Sequence, residues 1–329
     1  MLWGGDDLWH RPVADDPAYR ESYYFDFADQ RSGIGGFSSI GWKPARGVLG
    51  ATTVVFSDTG AWMHQATRAT EGDTPLLAVE GLSYARPSDR FGHWLLALDA
   101  TVVAVEEFGT NVAETGAGSD QRAQQLQLAV EFRALGDPVC TEGDEYRPAF
   151  SWHLEQAGGT TGSIKGESTP ATELRGLGHR DRSYGPRDWT YFASWMYMAG
   201  HSDEVTLNLW ALQRPDGHWS ATGWFRHAGR PFEVVDDFVL RPREMLVQGV
   251  DRVPATVDYE LRGARDVVSG TVESLRLVPL GFQTRRGASR LDRGMARYTI
   301  NGQVGSGQVE YQQLLGRVPE YPRWTFDGQ

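Results

Sequence analysis

Apolar and polar residues alternate with a period of two along most of this chain, the pattern of strands with one face buried and one face solvated. From Glu21 to Phe27, Glu21, Tyr23, Phe25 and Phe27 share one face, and Ser22, Tyr24 and Asp26 share the other. From Gln124 to Leu135, Leu126, Leu128, Val130, Phe132 and Ala134 alternate with Gln127, Ala129, Glu131 and Arg133. A helix would mix Arg133 into the apolar stripe, whereas a strand separates the two sets. Shorter strand candidates lie at Thr52 to Ser57, Ala61 to Gln65, Leu76 to Val79, His93 to Leu98, Thr101 to Phe108 and Ala149 to Gln156. The same texture resumes after Trp189 and continues to the QVEYQQLL segment, punctuated by Arg214-Pro215-Asp216-Gly217 and Asn301-Gly302. No long amphipathic helix stands out.

This pattern predicts an all-β protein with about eight to eleven strands in each half, most simply two antiparallel barrels or sandwiches packed together. Gly158-Gly159 is expected to end the strand before it. The Gly/Thr/Ser-rich stretch Gly158 to Glu173 reads as the boundary between a domain at residues 1–170 and one at residues 171–329. The glycines of RSGIGGFSSIGW suit a hairpin or bulge. Their spacing is wrong for a dinucleotide loop, and no helix pattern follows.

Composition narrows the function. The 329 residues carry a formal charge of −11, which argues against a nucleic-acid partner. Apolar residues make up 40% of the chain, but no apolar run approaches the roughly 20 residues of a membrane span. The acidic N-terminus lacks the form of a secretory signal, so a cytoplasmic location is expected. Cys140 is the single cysteine, which excludes an intramolecular disulfide and multi-cysteine metal sites. With Lys43 and Lys165 as the only lysines, there is no phosphate-binding Gly-Lys-Ser/Thr loop. No cofactor is expected. Twelve Trp, 12 Tyr and 14 Phe would furnish an apolar pocket for a hydrophobic small molecule, besides packing the sheets.

The densest chemistry lies in GLGHRDRSYGPRDW, Gly176 to Trp189. If His179 to Tyr184 is extended, His179, Asp181 and Ser183 share one face, and Arg180, Arg182 and Tyr184 share the other. Residues two apart on a strand stand roughly 6 to 7 Å apart, too far for a catalytic triad, and no G-x-S-x-G elbow is present. A metal site would need His179 and Asp181 to be joined by His153 or Glu155, and the sequence does not tie those strands together. A third use makes Asp181 a Brønsted acid. In poorly hydrated surroundings a carboxyl group keeps its proton near neutral pH and can protonate an alkene, while aromatic faces stabilise the cation. The structural alternative pairs Asp181 with Arg180, Arg182 or Arg187. Glu21 on an apolar face, and Glu310 beside Tyr311, are weaker candidates.

The same stretch resembles the signature G-x-G-x-R-D-x-S-[WY]-G-x-R-x-W of proteins related to carotenoid 1,2-hydratase and the AttH-type lipocalin-like proteins. That group is similar in fold to kievitone hydratase, tocopherol-cyclase-like proteins and certain fungal Diels–Alderases. ESYYFDF, GIGGFSSIGWKP, HLEQAG and GQVGSGQVEYQQL support the resemblance. It implies two lipocalin-like β domains with a hydrophobic pocket between or within them. It also implies that Asp181 donates a proton, with Tyr184 and Trp189 in the pocket wall. Arg182 and Tyr184 stand where His and Trp are common in that group.

The combined expectation is a cofactor-independent hydratase, cyclase or isomerase acting on an apolar unsaturated terpenoid, steroid-like or polyketide molecule. Asp181 is its proton donor, with Arg180, Tyr184 and Arg187 assisting, and His179, Trp189, Trp195, Glu21 and Tyr23 contact the substrate. A hydrophobic ligand carrier and a pericyclase are the alternatives. No metal is assigned to the site.

Overall fold

The computed structural model describes residues 9–10, 16–58, 60–70, 76–87, 91–107, 122–141, 150–188, 191–214, 216–248, 251–284 and 287–314. Two compact units emerge, one from residues 1–105 and 119–188 and one from residues 106–118 and 189–329.

The first unit holds β1 (Tyr19–Asp29), β2 (Ile34–Lys43), β3 (Val48–Ser57), β4 (Gly60–Ala69), β5 (Ala78–Val79), β6 (Leu82–Ala85), β7 (His93–Val105), β8 (Ala123–Ala134), β9 (Val139–Thr141), β10 (Trp152–Gly166) and β11 (Thr172–Pro186). A 3-10 turn, Pro44–Arg46, joins β2 to β3. The sheet runs β4-β3-β2-β1-β11-β10-β8-β7-β6-β5, and β4 also pairs with β7. The pairing of Ala61 with Val105 therefore closes β1, β2, β3, β4, β7, β8, β10 and β11 into an antiparallel barrel. Closure removes free sheet edges and lets one face of each strand enclose a core. Tyr23, Phe25, Phe27, Trp42, Trp94, Leu126, Leu128, Val130 and Phe132 meet there, as their period-two spacing predicts.

The second unit holds β12 (Ser194–His201), β13 (Val205–Gln213), β14 (Trp219–His227), β15 (Glu233–Val234), β16 (Asp237–Gln248), β17 (Asp251–Arg262), β18 (Val267–Thr284), β19 (Gly287–Ile300) and β20 (Gln303–Leu314). Its order is β15-β14-β13-β12-β20-β19-β18-β17-β16. The Val235 N–H donates to the Gly223 carbonyl at 2.9 Å, and the Asp236 N–H donates to the Arg262 carbonyl at 2.8 Å. The chain thus steps from β14 to β17, bridging the two ends of a curled sheet around its own core of Met198, Leu207, Leu209, Phe225, Val257, Tyr298 and Tyr311.

The all-β, double lipocalin-like expectation is met, with two differences. β10 runs straight through Gly158-Gly159 instead of ending there. A Cβ at Gly158 would lie 2.3 Å from Cζ of Phe132, so this glycine makes room for a core ring rather than a break. The stretch expected as a linker is the hairpin between β10 and β11, and β11 pairs with both β1 and β10. The division between units therefore falls after Asp188, not at residue 170. Among the described residues no helix is long and apolar enough to cross a membrane.

Candidate active site

β11 is the spine of the site because it lies between β1 and β10 and carries Gly176 to Pro186 of the central motif. Register sets Ser183 opposite Ser22 and His153, and Asp181 opposite Tyr24 and Glu155. Residues paired across a sheet share a face. One face therefore carries Ser22, Tyr24 and Asp26 from β1, His179, Asp181 and Ser183 from β11, and His153 and Glu155 from β10.

On this face His153 Nε2 lies 2.7 Å from Glu155 Oε1. His153 and Glu155 are only 3% and 4% exposed. One ligand atom each of His153, Glu155 and Asp181 falls within 4.8 Å of the others. Burial pushes the His153 imidazole down to about 4, against a raising influence of Asp181, so the ring is neutral at pH 7. Ser183 Oγ donates to Asp181 Oδ1 at 3.4 Å and lies 3.2 Å from Ser22 Oγ. Arg187 donates to Ser183 Oγ. Tyr24 OH donates to Asp26 Oδ2 at 3.3 Å, and the His179 N–H donates to Asp26 Oδ1 at 2.7 Å. Two carboxyl groups beside a neutral imidazole can share and relay a proton. The same donor set has the chemistry to hold a divalent cation.

The opposite face of β11 points into the barrel core. Arg182 is fully buried, pairs with Glu21 and lies 4.1 Å from the Tyr23 ring centroid. The His10 N–H donates to both Glu21 oxygens, at 3.0 and 3.1 Å, and His10 Nδ1 lies 2.8 Å from Oε1. Arg180 donates to Gln156 Oε1 at 2.6 Å and lies 4.8 Å from the Phe91 ring centroid. Tyr184 stacks on Trp152 with ring centroids 5.4 Å apart.

Of the residues expected to act together, Asp181, Arg187 and His179 share the polar face, and His153 and Glu155 join them. Arg180, Tyr184, Glu21 and Tyr23 lie on the core face, because strand alternation sends them there. Trp195 belongs to the second unit, where its Nε1–H donates to Glu310 Oε1 at 2.5 Å, and Arg293 also pairs with Glu310. Trp189 lies outside the described residues. Sequence reasoning passed over Ser22 and Arg20. The only signal for Ser22 was its place opposite Glu21 in the alternation.

A family model described as a domain of unknown function, DUF7064, matches residues 5–315. No curated protein sequence matches the chain significantly. Among solved structures, the chain is similar to a Nitrosomonas europaea protein assigned as an AttH, with a TM-score of 0.59, 14% identity and coverage of 94% of this chain and 96% of the other. CghA with Sch210972 follows at a TM-score of 0.57, 12% identity and coverage of 91% and 89%. Kievitone hydratase from Nectria haematococca gives a TM-score of 0.52, 10% identity and 93% coverage of both chains. At these identities the likeness is one of fold, and the fold is the AttH-like double lipocalin-like one.

Proposed function

The chain belongs to the family of the domain of unknown function DUF7064, and we propose that it is an enzyme that protonates an apolar, unsaturated small molecule. The observation that carries this reading is the meeting of Asp181, Glu155 and His153 on one polar face of β10 and β11. In the proposed reaction Asp181 delivers its proton to an alkene carbon. A C–H bond forms as the π bond breaks, and a cation is left on the neighbouring carbon. Water, a second double bond or loss of a proton then resolves the cation, giving hydration, cyclisation or isomerisation. Glu155, beside neutral His153, takes up the proton released at that stage.

Two carboxyl groups on one rung repel when both are ionised, which favours their holding a proton between them. Tyr24 and Phe37, stacked with centroids 6.3 Å apart, lie on the same face of the sheet and offer π faces to a cation. A shared fold with a protein named a hydratase agrees with this chemistry. Terpenoid and polyketide skeletons supply the substrate class, and the reaction needs no cofactor.

The test is incubation of a panel of terpenoid and polyketide alkenes in deuterated water with the parent protein and Asp181→Asn. The expected product of the parent carries one carbon-bound deuterium, with or without added water, and the variant forms little of it. Full turnover by Asp181→Asn would overturn the assignment and point to a pericyclase. Recovery of only unchanged, bound ligand would mark a carrier.

A further inference from the structure

Beside Asp181, the same face carries an unusual gathering of hydrogen-bond donors. Ser22 and Ser183 are paired across β1 and β11, with their hydroxyl oxygens 3.2 Å apart. Arg187 reaches Ser183 Oγ from one side. Arg20 lies on the Ser22 side of β1, since it is two residues away on an extended strand. Its guanidinium crosses Gly41, the β2 partner of Ser22, where an added Cβ would lie 2.6 Å from both Nε and Nη2 of Arg20. Gly41 is thus the residue that lets this guanidinium lie against the sheet.

We propose that the substrate carries an oxyanion, a carboxylate or an acidic enol, which binds between Arg20 and Arg187 over the Ser22–Ser183 pair. The inference rests on the proposed reaction, because it seats the ligand against Asp181. The two guanidinium groups carry N–H donors and Ser22 a hydroxyl, the complement of an oxyanion.

The cations are held there at mutual cost. Burial pushes the Arg187 guanidinium down to about 10, with Arg20 as the next cause, while Asp181 opposes the shift. Lys43 is lowered by burial and then by Arg20 and Arg46. A bound oxyanion would relieve this repulsion. It would also take the place of Asp181 as the counterion of Arg187. The substrate's acidic end would therefore lie one rung from its reacting double bond, on the β11 C-terminal side.

Fluorescence titration of the full chain with 1-pyrenebutyric acid and with 1-pyrenebutanol tests this. The expected result is at least about tenfold tighter binding of the acid, the size of a charge-assisted contact. Arg20→Gln and Arg187→Gln should each reduce the preference to less than about threefold while leaving alcohol affinity unchanged, which also reports an intact fold. Gly41→Ala should reduce it too, by displacing Arg20 without removing a charge. Equal affinity for the two probes, failure of the acid to bind, or a preference that survives in the double arginine variant would overturn the inference. Asp181→Asn should keep the preference while losing turnover. Loss of turnover without any acid preference therefore sinks only the oxyanion site, and acid preference with full turnover sinks only the proton-donor role.

Discussion

Asp181 stands directly opposite Glu155 on neighbouring antiparallel strands, so two carboxyl groups share one rung of the first barrel. Like charges so placed destabilise a sheet. In the proposed reaction the carboxyl pair next to this buried imidazole is catalytic; the alternative role is packing.

Glu155→Gln separates those two roles. The amide keeps an acceptor for His153 and removes the charge facing Asp181. The expected melting temperature is equal to or above that of the parent, while kcat falls by about 10²-fold, as for loss of a positioned acid–base group. Differential scanning calorimetry and product formation check both parts, and a destabilised but fully active variant would contradict them.

Glu21 and Arg182 form a buried ion pair on the core face, with no exposure of either side chain. Glu21→Gln leaves the Arg182 charge in the barrel interior without its ionised partner. Breaking such a pair costs about 3 to 5 kcal/mol. The double change Glu21→Leu with Arg182→Met should recover at least half of that loss, because it removes both charges. Urea unfolding of the parent and the two variants measures it, and a double variant no better than Glu21→Gln would refute the account.

His153 and His201 supply an acid sensitivity. Burial pushes them down to about 4 and about 3, against 6.5 for a free imidazole. Above pH 6.5 neither the folded nor the unfolded chain protonates these rings. As pH falls below 6.5 the unfolded chain takes up protons that the folded chain refuses until about pH 4, so stability falls across that window. Melting temperatures should decline from pH 6.5 to 4, and less steeply in His201→Gln. A flat profile over this range in the parent would exclude the effect.

Gly158→Ala places a methyl group 2.3 Å from the Phe132 ring. Overpacking of this kind costs about 1 to 3 kcal/mol. Phe132→Leu in the same chain should return part of the loss, although it is destabilising alone. Additive effects of the two changes in thermal unfolding would show that the clash is not the cause.

Much of the fold was legible because strand alternation is local. Leu126, Leu128, Val130 and Phe132 announce their core face without help from the rest of the chain, and His179, Asp181 and Ser183 announce theirs. Glycine was the misleading signal. Gly158-Gly159 reads as a break on composition, but here one glycine yields space to Phe132 within a continuous strand. The same ambiguity moved the expected domain boundary to the wrong side of β11.

The chain by itself determined that strands dominate and which side chains share a side of each strand, since a period of two follows from backbone geometry. It also singled out Asp181 within the central motif. Only the tertiary structure decided that Glu155 faces Asp181, that Arg182 is held by Glu21, and that Ser22 meets Ser183. Ser22 and Ser183 lie 161 residues apart in sequence. Register between distant strands is set by the burial of whole faces across the barrel, and no local pattern carries that information.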